Sequence, residues 1–172
     1  VVAAAAILTQ PLHKALIGLN DSKQLTEKQR DTFFHALVEE LNIPHGVGIV
    51  SVEIIDRINI LRATHLAMQR ALDALPVRPD HALVDGRPVP SLKISQTAIV
   101  EGDALSYSIA AASVIAKVTR DRLMRQLHEQ FPQYNFAQHK GYGTKQHIAL
   151  LRQHGPSPVH RRSFKIADAA PM

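Results

Sequence analysis

Beyond the turn at Asp103, the chain to about Phe131 can do little except form one long helix. Ile109, Ala112, Ala116, Leu123 and Leu127 recur at helical spacing as an apolar face, and Pro132 stops the run because proline cannot continue the i→i−4 ladder. A helix of that length must bury its stripe against something. The preceding segments supply short, strand-like apolar runs at 1–8, 46–52, 81–84 and 92–100. Between them lie helical patterns. Thr26, Glu27, Lys28 and Gln29 form a capping box before a stripe of Phe33, Phe34, Leu37, Val38 and Leu41 that Pro44 ends. Ser51 can cap a short helix with Glu53 and Asp56 near its positive end. Residues 61–75 place Leu61, His65, Met68, Leu72 and Leu75 on one face, with Ala63, Ala67 and Ala71 beside it, before Pro76 and Pro79. A last helix spans 144–154. Strands alternate with helices first and helices dominate later, which predicts an α/β sheet flanked by helices with a helical C-terminal extension.

The 172 residues suit one domain, with sheet and helices over about 1–120 and a helical part over about 121–172. Mean hydropathy is −0.07 and 45% of residues are hydrophobic, enough for a core. The net charge of +5 favours a polyanionic partner. With no cysteine there are no disulfides, no thiolate catalysis and no cysteine-ligated zinc, and a reducing cytoplasm suits the chain. No apolar run reaches membrane-spanning length, and residues 1–8 lack the basic leader of a signal peptide.

Two segments carry a cation beside hydroxyl donors and a tight turn: 19–26, containing Asp21, Ser22 and Lys23, and 139–144, containing His139, Lys140 and Tyr142. Lys23 can meet a phosphate as a point charge, with the Ser22 hydroxyl adding a hydrogen bond. The plainer reading is an ordinary helix-approach loop. Tyr142 lies between two glycines, where its ring can stack on a sugar or base; packing in a tight loop is equally compatible. Asp85 ends a strand, where open α/β sheets bind ligands, although Asp-Gly is also a common turn. Asp103 precedes the long helix and suits an N-cap as well as a ligand. Two such carboxylates match Mg²⁺ or Mn²⁺, hard ions that take oxygen donors, but two dications need more negative charge than two aspartates supply. Glu101 reads as a solvated carboxylate. The ten histidines form no His-Glu-x-x-His pattern and read mostly as surface residues.

Taken in order, the chain resembles the ribonuclease HII family, the type-2 ribonucleases H. The resemblance rests on residues 18–25, on 53–56 with 59–61, on 83–86, 102–103, 109–121, 131–134 and 139–144, and on the basic run 160–164. It implies a ribonuclease H-like mixed sheet flanked by helices. It implies endonucleolytic cleavage of RNA in RNA–DNA hybrids, and beside ribonucleotides embedded in duplex DNA, by two divalent ions, Mn²⁺ or Mg²⁺. Products would carry 5′-phosphate and 3′-hydroxyl ends. Asp85 and Asp103 match the family's third and fourth active-site carboxylates, Tyr142 the tyrosine that stacks at the RNA–DNA junction, and Lys23 the loop that contacts the substrate backbone. The family's opening strand, with an Asp-Glu pair and a Gly-Arg-Gly turn, has no counterpart in these residues. The expectation is therefore an N-terminally truncated chain, inactive and poorly stable alone, from a monomeric cytoplasmic enzyme of DNA replication and repair. A nucleic-acid-binding fragment without catalysis is the alternative. A phosphatase of another α/β fold would need a nucleophilic Asp-x-Asp that is lacking.

Overall fold

In the computed structural model, residues 1–163 are described. The end of the basic run, Phe164 and Lys165, lies outside them. Strand β1 (Val2–Ala6) pairs antiparallel with β2 (His45–Ile49), in a register that sets Ala4 opposite Val47. Strand β3 (His81–Asp85) pairs in parallel with β4 (Ser95–Ile99), setting Asp85 opposite Ile99. The mixed α/β architecture is that predicted, but the strands form two separate pairs. Between the pairs lies a cleft of about 440 Å³, lined by β1, by β3 and by Met68, Ile109, Ala112 and Ala116.

Helix α1 (Glu27–His35) begins at the predicted capping box: Thr26 Oγ1 accepts from the Gln29 N–H, and the Gln29 side chain accepts from the Thr26 N–H. A π turn (Ala36–Glu40) continues it. Helix α2 (Val52–Ile58) starts after Ser51, which sits in N-cap geometry without a side-chain cap bond. Helix α3 (Ile60–Asp73) departs from the sequence reading. Its buried residues are Ala63, Ala67 and Ala71, whereas Leu61 is 62% exposed. The reason is β2: a Cβ at Gly48 would lie 2.0 Å from the Ala67 carbonyl oxygen, and one at Gly46 2.2 Å from that of Ala71. Glycines on the strand and alanines on the helix let two backbones touch, so the small stripe, not the large one, faces the sheet.

The predicted long helix divides into a short α4 (Gly102–Leu105) and α5 (Tyr107–Gln130). The deepest α5 residues are Ala110, Ala111, Val114 and Ile115, packed with Leu16, Leu19, Phe34 and Leu37 in the main core. Full burial of such side chains contributes roughly 1.5–3 kcal/mol each. The predicted Ala112 and Ala116 face the cleft instead, because α5 has neighbours on more than one side. Beyond Pro132, α6 (Phe136–His139) and α7 (Lys145–His154) pack on its C-terminal half around Tyr134, Phe136 and Leu151. Thr144 caps α7 through the His147 N–H.

Candidate active site

The parallel pair β3–β4 brings the two predicted aspartates together. Residues 86–94 join these strands without a helix; Val89 and Leu92 are buried beneath the loop, and the Gln96 amide pairs with both the N–H and the carbonyl of Val89. Asp85 thus ends β3 directly beside the end of β4. There the chain turns through Glu101, in the left-handed region at φ 56°, and enters α4. Asp85 Oδ1 accepts the Gly102 N–H at 2.9 Å, which places Asp103 next to it. Asp85 is exposed, Asp103 is only 7% exposed, and Glu101 points to solvent, as its sequence position suggested.

The loop before α1 closes the other side. Lys23 Nζ lies 3.6 Å from Asp103 Oδ2 and 3.9 Å from Asp21 Oδ1. The loop is held by the Lys23 N–H donating to Asp21 Oδ1 at 2.9 Å and by Arg30 Nη1 donating to the Ser22 carbonyl at 2.9 Å. Ser22 is buried, and its hydroxyl pairs with that of Ser113 on α5 at 2.8 Å. Burial raises the Asp103 carboxyl above the usual carboxylate range; the charges of Asp85 and then Asp21 push the same way, and Lys23 opposes them. Asp21 is therefore part of the site, although the sequence singled it out only as a loop residue.

From Ser113 one face of α5 continues through Lys117 to Arg120, spaced i, i+4 and i+7 over roughly 10 Å. There it meets Tyr142. The Arg120 guanidinium carbon lies 4.7 Å from the centre of the Tyr142 ring, and Arg120 Nη2 donates to the Lys140 carbonyl at 2.7 Å. Lys117 pairs with buried Asp121 at 2.6 Å, and its ammonium lies 5.8 Å from the same ring. Tyr142 is 54% exposed, so it is not a packed loop tyrosine. Lys117 and Arg120 escaped the sequence reading; their i, i+3 spacing on a helix beside an aromatic loop was the available signal.

Two more arrangements were not foreseen. Asp56 accepts from the N–H groups of Arg162 and Ser163, both at 2.9 Å, and from the Ser163 hydroxyl at 2.6 Å, so it ties the chain's later segment to α2. His139 and His147 are buried rather than on the surface, and His160 is half-buried.

Among the described residues, no group of three or more His, Asp or Glu side chains has the arrangement of a metal site. The donors at Asp85 and Asp103 are nevertheless hard carboxylate oxygens brought side by side, and they fit a divalent cation in kind.

A sequence profile described as Ribonuclease HII matches residues 1–167. The chain belongs to the ribonuclease HII family. A Ribonuclease HII of Desulfitobacterium hafniense (strain DSM 10664 / DCB-2) is 54% identical over 164 residues, covering 95% of this chain. The chain spans only 62% of that relative's length. Ribonuclease HII of Burkholderia thailandensis is 52% identical over 163 residues, 95% of this chain and 75% of the relative. Ribonuclease HII 1 of Methylibium petroleiphilum is 52% identical over 169 residues, 98% and 84% of the two chains. The crystal structure of ribonuclease H2 from Pyrococcus horikoshii OT3 matches with a TM-score of 0.76 at 26% identity, covering 96% of this chain and 87% of that one. Among the described residues, no helix is long and apolar enough to cross a membrane.

Proposed function

We propose that this chain carries part of the catalytic surface of an endoribonuclease that cleaves RNA in RNA–DNA hybrids and beside ribonucleotides embedded in duplex DNA. The observation that supports it most is the convergence of Asp85 and Asp103 beneath Lys23. Asp85 and Asp103 would hold divalent ions, Mn²⁺ or Mg²⁺. Bound there, such ions would supply an activated water and charge stabilisation for the departing 3′ oxygen, leaving 5′-phosphate and 3′-hydroxyl ends. Asp103, already deprived of solvent, gains most from a nearby cation. Lys23 presents its ammonium to a phosphate at the rim, on a loop that Ser22 anchors through Ser113. Lys117 and Arg120 extend the positive surface along α5 toward Tyr142, whose exposed ring stacks at the RNA–DNA junction. Such an enzyme would act as a cytoplasmic monomer in DNA replication and repair.

The test is nicking of a DNA duplex with one embedded ribonucleotide in Mn²⁺ or Mg²⁺, with product ends mapped. A nick beside the ribonucleotide supports catalysis. Salt-sensitive binding without a nick supports the second reading, a binding fragment without catalysis, which the short supply of carboxylates at the site favours.

A further inference from the structure

Three imidazoles behind the Tyr142 loop form a connected chain whose tautomers are fixed by the backbone. Ser157 N–H donates to His160 Nδ1 at 2.9 Å, so that nitrogen is an acceptor and His160 carries its proton on Nε2. His147 Nδ1 lies 2.9 Å from the Tyr142 carbonyl, so it must be the donor, which leaves His147 Nε2 as an acceptor. The two Nε2 atoms face each other at 2.9 Å with matching roles, His160 donating to His147. The His139 ring stacks on His147 with centres 4.2 Å apart. Its Nδ1 accepts the Gly141 N–H at 3.1 Å and its Nε2 donates to the Tyr134 carbonyl at 2.6 Å. Each ring is thus complete when neutral. Protonating His139 on Nδ1 or His147 on Nε2 sets an N–H against another N–H; at His160 the Ser157 hydroxyl also lies 2.6 Å from Nδ1.

We propose that His139, His147 and His160 are positioning residues for Tyr142. They form a relay of neutral imidazoles that fixes the loop from both sides, at the Gly141 N–H and at the Tyr142 carbonyl. The loop needs such support. Lys140 and Gly141 are both in the left-handed region, at φ 50° and 76°, and beyond Tyr142 the glycine at 143 has no atom within 4 Å of a Cβ position. The groups facing the relay are basic: His128 from α5 and Arg161. Burial is the first cause that holds His139 below its ordinary value and His160 down to about 4, with neighbouring imidazoles and, for His160, Arg161 pushing the same way, so these two rings stay neutral at physiological pH. The functional meaning rests on the proposed contact between Tyr142 and substrate; the relay itself does not.

The test begins with the unaltered chain. Long-range ¹H–¹⁵N spectra at pH 7 should show His147 as the less common Nδ1–H tautomer and His160 as Nε2–H; His147 protonated on Nε2 overturns the relay. Hydrogen exchange of amides 141–144 should quicken at least ten-fold in His160→Ala, with α3 amides unchanged, and should recover in His160→Gln, whose amide nitrogen can still donate to His147. Unchanged loop exchange in His160→Ala overturns the proposal. Binding of a duplex with one ribonucleotide over an all-DNA duplex is then compared. Where Tyr142→Ala abolishes that preference, His160→Ala should reduce it and His160→Gln should keep it; an unaltered preference in His160→Ala overturns the relay's role. Where Tyr142→Ala keeps the preference, the substrate reading of Tyr142 fails, and the tautomer and exchange results alone decide the relay.

Discussion

The Asp85 carboxylate accepts a hydrogen bond from the main-chain N–H of Gly102, at 2.9 Å, and this single contact couples the end of β3 to the turn that carries Asp103. A Cβ at Gly102 would lie 2.6 Å from Ile109 Cδ1 and 3.4 Å from Asp85 Oδ1. Gly102→Ala is therefore expected to cost roughly 1–3 kcal/mol by overpacking, read from urea unfolding midpoints. It should also disturb Asp85 more than any distant overpacking mutation of equal cost, seen in the Asp85 carboxyl ¹³C shift.

Asp85→Asn keeps an oxygen that can accept the Gly102 N–H but removes the charge. Mg²⁺- or Mn²⁺-dependent cleavage is expected to fall by roughly 100-fold or more, with the melting temperature little changed. Retained turnover would sink the metal-holding role of Asp85.

Asp103 predicts the pH dependence of stability in metal-free buffer. Its folded carboxyl titrates above the unfolded value, so the folded state holds its proton to higher pH. The stabilisation is complete below the unfolded value of about 3.8 and is lost as pH rises through the raised folded value. Asp103→Asn should remove this decline, so that wild type and variant differ most in denaturant midpoint near neutral pH.

Lys23→Gln takes away the positive charge that opposes the rise of the Asp103 carboxyl. The Asp103 carboxyl should titrate at still higher pH, followed by ¹³C NMR. Duplex binding should weaken, with the slope of log K against log salt falling by about 1, as for loss of one phosphate contact. An unchanged slope would restrict Lys23 to a local counter-ion.

The histidine relay acts in the opposite pH direction. His160 is lowered to about 4, chiefly by burial, and His139 is lowered for the same first reason. The unfolded chain binds these protons first, so their stabilisation is full above about 6.5 and falls as pH drops toward 4. Urea midpoints between pH 7 and 4.5 should decline, and His160→Gln should flatten part of that decline.

Much of the fold was legible. Thr26 with Gln29, Pro44 and Pro132 punctuate the chain by local chemistry, and local chemistry is what a sequence displays. The helix faces were less legible. Leu61 and its partners carry the larger hydrophobic signal, yet Ala63, Ala67 and Ala71 are buried, because Gly46 and Gly48 allow backbone contact that no periodicity count registers. At the site, local marks placed Asp85 at a strand end and Asp103 at a helix entry, positions equally open to a turn and an N-cap, and the family resemblance supplied their expected role. Asp21, Lys117, Arg120 and the buried histidines were not: each draws its role from a neighbour distant in sequence.

By itself, the order of residues determined the approximate positions of the main helices and strands, which carboxylates stand at element ends, and the family to which the chain belongs. Only the tertiary structure decided which face of each helix is buried, that Lys23 lies over Asp103, that Arg120 backs Tyr142, and that three histidines meet behind the Tyr142 loop. Capping and helix-breaking act within a few residues, whereas desolvation, charge coupling and tautomer choice depend on what the folded chain brings within a few ångströms.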